Sequence, residues 1–145
     1  MLADLPLEDG YPGLAGTVGE ALLATHRSYL PAMRPLLAAE LVRGMAHITG
    51  GGFEGNIPRM LPQGLAVELR WGAWGVPPIF ELIRSQGQID FAEMTRVFNL
   101  GLGWVFVTSE ADAERVHALC PEALPVGQVV ADDGAGPRAR LLGAP

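Results

Sequence analysis

The sequence has a single cysteine, no cluster of basic residues and no long apolar run. With Cys120 alone, no internal disulfide can form, which fits a reducing cytosol. Cys120 also lacks the basic neighbours that make a thiol reactive, so it reads as a small buried apolar residue. Ten Lys and Arg stand against 16 Asp and Glu, for a net charge of −6. Without a basic stripe, nucleic acid is not an expected partner. No apolar segment reaches the ~20 residues of a membrane span. Met1 is followed by an acidic, Pro-containing stretch to Tyr11, not by a basic and then apolar leader. These features predict a soluble, cytoplasmic protein with no nucleic-acid or membrane partner. Metal chemistry also lacks a signature, because His26 and His117 have no Cys, Asp or Glu at ligand spacing. No Ser/His/Asp arrangement and no carboxylate pair in an apolar setting is visible.

What is present suits one domain. Apolar residues make up 49% of the 145, enough for a substantial core. Nineteen Gly and 12 Pro imply tight turns and short elements. Residues 1–16, acidic and rich in Gly and Pro, read as a linker or arm.

Thr17 and Glu20 have capping-box spacing and open a short helix to about Ala24. Ser28 to Leu30 reads as extended before Pro31. Pro35 to Val42 reads as a helix with Pro35 in its first turn and Gly44 as its stop. Met45 to Ile48 is a short apolar strand. The helix expected near Phe53 to Leu61 holds Gly55 and Pro58, so it either starts late, capped by Asn56, or kinks at Pro58. Leu65 to Arg70 alternates as a half-buried strand. Pro77-Pro78 opens a helix stopped by Gly87, and Asp90 with Glu93 caps another toward Val97. Trp104 to Val107 is apolar throughout and predicts a central strand covered on both faces. Ser109 to Asp112 resembles a capping box. Strands are expected at Val126 to Ala131 and Arg138 to Leu142. The pattern predicts an α+β domain with a mixed sheet and helices packed against it.

The strongest local feature is a strand, then Thr49-Gly50-Gly51-Gly52, then a helix. Three successive Gly carry a high entropic cost and suit positive φ or the close approach of a ligand. N–H groups at a helix start carry partial positive charge, so a phosphate is the natural guest, with Thr49 as a further donor. The same residues read equally as a tight strand-to-helix turn with no ligand. Asn99 to Gly103 is a second turn, before the apolar strand. His47 sits just before the triplet, and a lone His there reads as a partly buried structural residue. Arg27, Arg34 and Arg59 could pair with phosphate, although each also reads as a surface or ion-pair residue.

Several ordered blocks resemble the C-terminal domain of the phosphoribosylformylglycinamidine cyclo-ligases (aminoimidazole ribonucleotide synthetases). Glu20-Ala21-Leu22-Leu23 with Arg27 and Tyr29 is one. Ala46-His47-Ile48-Thr49-Gly50-Gly51-Gly52-Phe53 is the most specific, continued by Asn56 to Pro62. Trp74 with Pro77 to Phe80, Phe98 to Gly103, and Val126 to Val130 complete the set. Together they span most of residues 17–130. Thr25-His26, Leu100 and Gln128 depart from the family pattern, which usually has Pro-Thr, Met and Glu there.

The resemblance implies a three-layer α/β/α domain, partly ferredoxin-like, over 17–145, with 1–16 as interdomain linker and the N-terminal ATP-binding domain absent from this chain. It implies ATP-driven closure of formylglycinamidine ribonucleotide to aminoimidazole ribonucleotide in purine biosynthesis. ATP and Mg²⁺ would be held mainly by the N-terminal domain, and the full-length protein would be a homodimer. It implies that His47 and Asn99 position the reacting end. Arg27, Thr49, Gly50, Gly51, Gly52, Asn56 and Gly101 would bind the phosphorylated ribonucleotide. The isolated chain would be inactive. Related ATP-using families, of the formylglycinamidine ribonucleotide synthase or selenophosphate synthetase type, share the architecture. A non-catalytic domain that binds a phosphorylated ligand or serves assembly is the reading from another class.

Overall fold

The computed structural model describes residues 7–145. Its helices are α1 (Val18–Leu22), α2 (Leu30–Ala38), α3 (Gly52–Asn56), α4 (Pro78–Gly87), α5 (Phe91–Val97) and α6 (Ala113–Leu119). Its strands are β1 (Gly44–His47), β2 (Leu65–Arg70), β3 (Trp104–Val107), β4 (Gly127–Ala131) and β5 (Ala139–Leu142). The fold is α+β, as expected. The strands form two sheets, however, and not one: β1 pairs with β3, and β2 lies between β4 and β5. The three-stranded sheet is the mixed one, antiparallel at β2–β4 and parallel at β2–β5.

β3 therefore sits in a two-strand ribbon, not at the centre of a sheet. Its apolar character has a different cause. Val105 joins Ile48, Phe53, Ile57 and Met94 in the main core. Trp104 and Phe106, on the opposite face, pack on a second cluster of Met33, Leu36, Leu41, Val116 and Cys120. A ribbon clamped between two cores needs apolar residues on both faces, as a central strand does.

Capping chemistry fixed the local ends that it controls. The Thr17 hydroxyl accepts from the Glu20 N–H at 3.1 Å and Glu20 accepts from the Thr17 N–H at 2.8 Å, so the capping box forms. Asp90 accepts from the Glu93 N–H at 2.7 Å and starts α5. Helix α2 lies earlier than expected: Pro31 occupies its first turn and Pro35 is inside it. Its stop is Glu40 at φ 56°, with Leu41 N–H bonded to Leu36 and Glu40 N–H to Leu37, so a Schellman arrangement ends the helix before Gly44. The helix expected from Phe53 is α3, followed by a 3-10 turn at Ile57–Met60 where Pro58 stands. Ser109 does not cap by its side chain; its hydroxyl donates to Asp112 instead.

Residues 7–16 fold back onto the domain. Leu7 and Asp9 carbonyls accept from Gly19 and Val18 at 2.8 and 2.9 Å. Tyr11 and Leu14 cover Val18 and Leu82.

Candidate functional site

The β1–β3 register pairs His47 with Trp104, and Ile48 N–H donates to Gly103 at 2.8 Å. The exit of β1 and the entry of β3 therefore lie at the same end of the ribbon. That brings the Thr49–Gly52 turn beside the Asn99–Gly103 turn, two segments far apart in sequence. Next to the first turn runs an open groove of about 370 Å³, lined by Met45, Ala46, His47, Thr49, Asn56, Arg59 and Met60.

Asn56, 5% exposed, determines which way the turn faces. Its side-chain amide donates to the Gly52 carbonyl at 2.8 Å and to the Thr49 and Gly50 carbonyls at 3.3 Å each. All peptides here are trans. In a planar trans peptide the N–H points opposite to its carbonyl. Carbonyls gathered on Asn56 therefore turn the N–H groups of Gly50 and Gly51 away from it, on the exposed part of the turn. The Gly52 N–H is used internally, donating to Thr49 at 3.0 Å. Thr49, Gly50 and Gly51 are exposed. Outward amides, a hydroxyl and the exposed Arg59, which has no ion pair among the described residues, make an anion-accepting edge.

The three glycines differ in cause. A Cβ on Gly50 would meet nothing within 4 Å. Gly51 holds φ at 95° as the residue before α3. Gly52 is left-handed, and a Cβ there would overlap the Thr95 carbonyl. Gly52 thus sets the contact between α3 and α5, and Gly50 alone leaves open space beside the groove.

At the second turn, Asn99 Oδ1 accepts from the Gly101 N–H at 3.0 Å and supports Leu100 and Gly101 at φ 46° and 100°. A Cβ on Gly101 would meet Pro77 Cδ at 2.7 Å and the Gly75 carbonyl at 2.9 Å. Trp74 Nε1 donates to the Leu100 carbonyl at 3.0 Å. The Trp74 to Pro78 segment and the Asn99 to Gly103 turn are therefore built as one unit.

His47 is exposed and faces His26, with Nε2 atoms 3.4 Å apart. Its ring lies 5.5 Å from Trp104 and 6.2 Å from Tyr29. Arg27 stands over the Tyr29 ring and is ion-paired with Glu122, whose hydrogen bond and charge hold the guanidinium above its ordinary pKa. Arg27 is thus near the histidines and does not line the groove. The sequence set Arg59 beside Arg27 and Arg34 without distinguishing it; position in the groove does. Nothing in the sequence announced the His26–His47 approach. Among the described residues, no three His, Cys, Asp or Glu converge to hold a metal ion. The carboxylate set a Mg²⁺ site requires does not fit this site, and no chemistry is assigned to Mg²⁺ held by this chain.

The family described as "AIR synthase related protein, C-terminal domain" matches residues 3–139. The chain belongs to this family. The match begins inside the stretch expected as linker, in keeping with the folding back of residues 7–16. Among curated relatives, the phosphoribosylformylglycinamidine cyclo-ligase of Symbiobacterium thermophilum is 49% identical over 137 residues, 91% of this chain and 39% of that protein. The Enterococcus faecalis protein of the same name is 46% identical over 123 residues, 84% of this chain and 36% of that protein. The Bifidobacterium animalis protein is 53% identical over 88 residues. The chain thus spans well under half the length of the curated relatives it matches. No helix among the described residues of this AIR synthase-related domain is long and apolar enough to cross a membrane.

Proposed function

We propose that this domain is the C-terminal part of a phosphoribosylformylglycinamidine cyclo-ligase acting in the cytoplasm in purine biosynthesis. The observation that carries the reading is the 49% identity to a protein of that name across 91% of the chain. In the reaction, formylglycinamidine ribonucleotide is phosphorylated on its formyl oxygen at the expense of ATP. The amidine nitrogen attacks the formyl carbon, inorganic phosphate leaves, and a proton is lost as the imidazole ring closes.

The domain's part is to bind and orient. The outward N–H groups of Gly50 and Gly51, the Thr49 hydroxyl and Arg59 receive a phosphate of the ribonucleotide. Gly52 and Asn56 shape that edge from behind. His47 borders the groove where the reacting end would lie. Asn99 and Gly101 hold the neighbouring turn in place. Arg27, tied to Glu122, supports the Tyr29 and His47 side of the site. ATP and Mg²⁺ belong to an N-terminal domain of the same enzyme, which is also the partner that closes the cleft, and the complete enzyme is a homodimer.

The test is reconstitution. This chain joined to a cyclo-ligase N-terminal domain should form aminoimidazole ribonucleotide from formylglycinamidine ribonucleotide and ATP. The 145-residue chain alone should not. A folded fusion with no ring closure, or turnover by the chain alone, would overturn the reading.

A further inference from the structure

His26 and His47 come from different elements. His47 ends β1, and His26 lies in the connection between α1 and α2. Their Nε2 atoms meet at 3.4 Å, the long end of hydrogen-bond range, with the ring planes at 75°. Trp104 and Tyr29 flank the His47 ring at 5.5 and 6.2 Å between centroids, and Tyr29 also meets the edge of His26 at 6.0 Å. A neutral imidazole carries one N–H and one lone pair. Two bare Nε2 atoms at this distance would set lone pair against lone pair, and two protonated ones would set N–H against N–H. In the neutral pair one proton therefore lies between them, and the tautomer of each ring fixes that of the other.

The groove decides how the pair is polarised. His47 lines it and His26 does not. With Nε2 taken up by His26, Nδ1 is the nitrogen that His47 has left for a ligand. The groups that receive the anion beside it, the Gly50 and Gly51 N–H, the Thr49 hydroxyl and the Arg59 guanidinium, all serve as donors. An acceptor complements them. The other titratable groups beside the rings are Tyr29 and Arg27, and Arg27 is ion-paired with Glu122. We propose that His26 is a positioning residue: it accepts the Nε2–H of His47 and so keeps His47 Nδ1 bare, as the acceptor for an N–H of the substrate. The substrate rests on the cyclo-ligase reading, in which the amidine of the ribonucleotide offers that N–H. As the amidine nitrogen bonds to the formyl carbon, its proton passes to Nδ1 and the bond from that carbon to the phosphate oxygen breaks. The resulting imidazolium, still donating to His26, returns the proton to water.

The test has two arms. Long-range proton–nitrogen correlation spectra of the 145-residue chain at about pH 8 report which ring nitrogen carries the proton. The expected result is a proton on Nε2 of His47 and on Nδ1 of His26, with the signals assigned through His47→Gln and His26→Phe. A proton on Nε2 of His26, or His47 signals unchanged by His26→Phe, would overturn the proposal. The second arm is steady-state kinetics of the chain joined to a cyclo-ligase N-terminal domain. His26→Phe keeps a ring against Tyr29 but has no acceptor, and His26→Gln restores one in its amide oxygen. In His26→Phe kcat should fall about tenfold with KM for the ribonucleotide unchanged, and His26→Gln should recover most of it. Both variants should melt with the parent, since His26 is exposed. Parental kcat in His26→Phe, or equal losses in both variants, would also overturn the proposal. A fusion with no ring closure would instead strike the cyclo-ligase reading, and the spectra would still decide the pairing.

Discussion

Gly52 packs directly against the Thr95 carbonyl, so that a Cβ on Gly52 would occupy the space of that oxygen. Helix α3 can approach α5 this closely only because the residue is glycine with φ at 55°. Gly52→Ala combines a backbone clash with a left-handed conformation unfavourable to L-residues. It should destabilise the domain by about 3 kcal/mol and lower its thermal midpoint by roughly 10 °C. Calorimetric melting checks this, and an unchanged midpoint would contradict the packing.

Gly50 is the opposite case, with open space around the site of its missing side chain. Gly50→Val should leave the melting temperature within a few degrees of the parent. In the two-domain enzyme it should raise KM for the ribonucleotide, by on the order of tenfold, by blocking approach to the outward amides. Arg59→Gln should act similarly, without loss of fold. Steady-state kinetics together with melting curves separate the two effects.

The clamp on the turn gives a pH-dependent prediction. Asn56→Ala removes a buried donor shared by three carbonyls and should cost about 2 kcal/mol. Asn56→Asp should be worse at neutral pH, because a carboxylate would face the same three oxygens. Burial and those dipoles raise the pKa of the new acid in the folded state. Folding then takes up a proton, so the variant should gain stability as the pH falls through that raised value and lose it as the pH rises. Urea melts at acidic and neutral pH measure the trend, and equal stabilities would rule out this geometry.

Asp112 shows the reverse sign. Its Oδ2 accepts from the Ser109 hydroxyl at 2.6 Å and its Oδ1 from Arg115 at 2.7 Å. Chiefly the Ser109 bond, and then Arg115, hold its pKa below the ordinary carboxylate value. The stability this contributes is present above the ordinary carboxylate range and is lost as pH falls through the depressed value. Ser109→Ala should therefore lessen the acid sensitivity of unfolding. Acid titration followed by circular dichroism provides the check.

Local chemistry was legible in the sequence where both partners lie within one turn. The Thr17–Glu20 box and the Asp90 cap need only a spacing of three residues, and both form. The Gly triplet could be located but not resolved into its parts, because the cause of Gly52 is the Thr95 backbone of another helix. Asn56 is expected from sequence as a ligand residue or a cap; the structure has its amide holding the turn together. Apolar character marked β3 as covered on both faces but could not show whether helices or neighbouring strands flank it. The His26–His47 approach is set by the ribbon and the path between α1 and α2, which leave no local signature.

The order of strands also governs how the domain assembles. β2, the middle of its sheet, receives neither neighbour until β4 and β5 have been made, long after its own residues. During synthesis its buried Ala66, Val67 and Leu69 must wait with their hydrogen-bonding edges unpaired. β5 is the last of the three strands in chain order, and a chain that stops short of Ala139 would leave that edge of β2 open to other molecules.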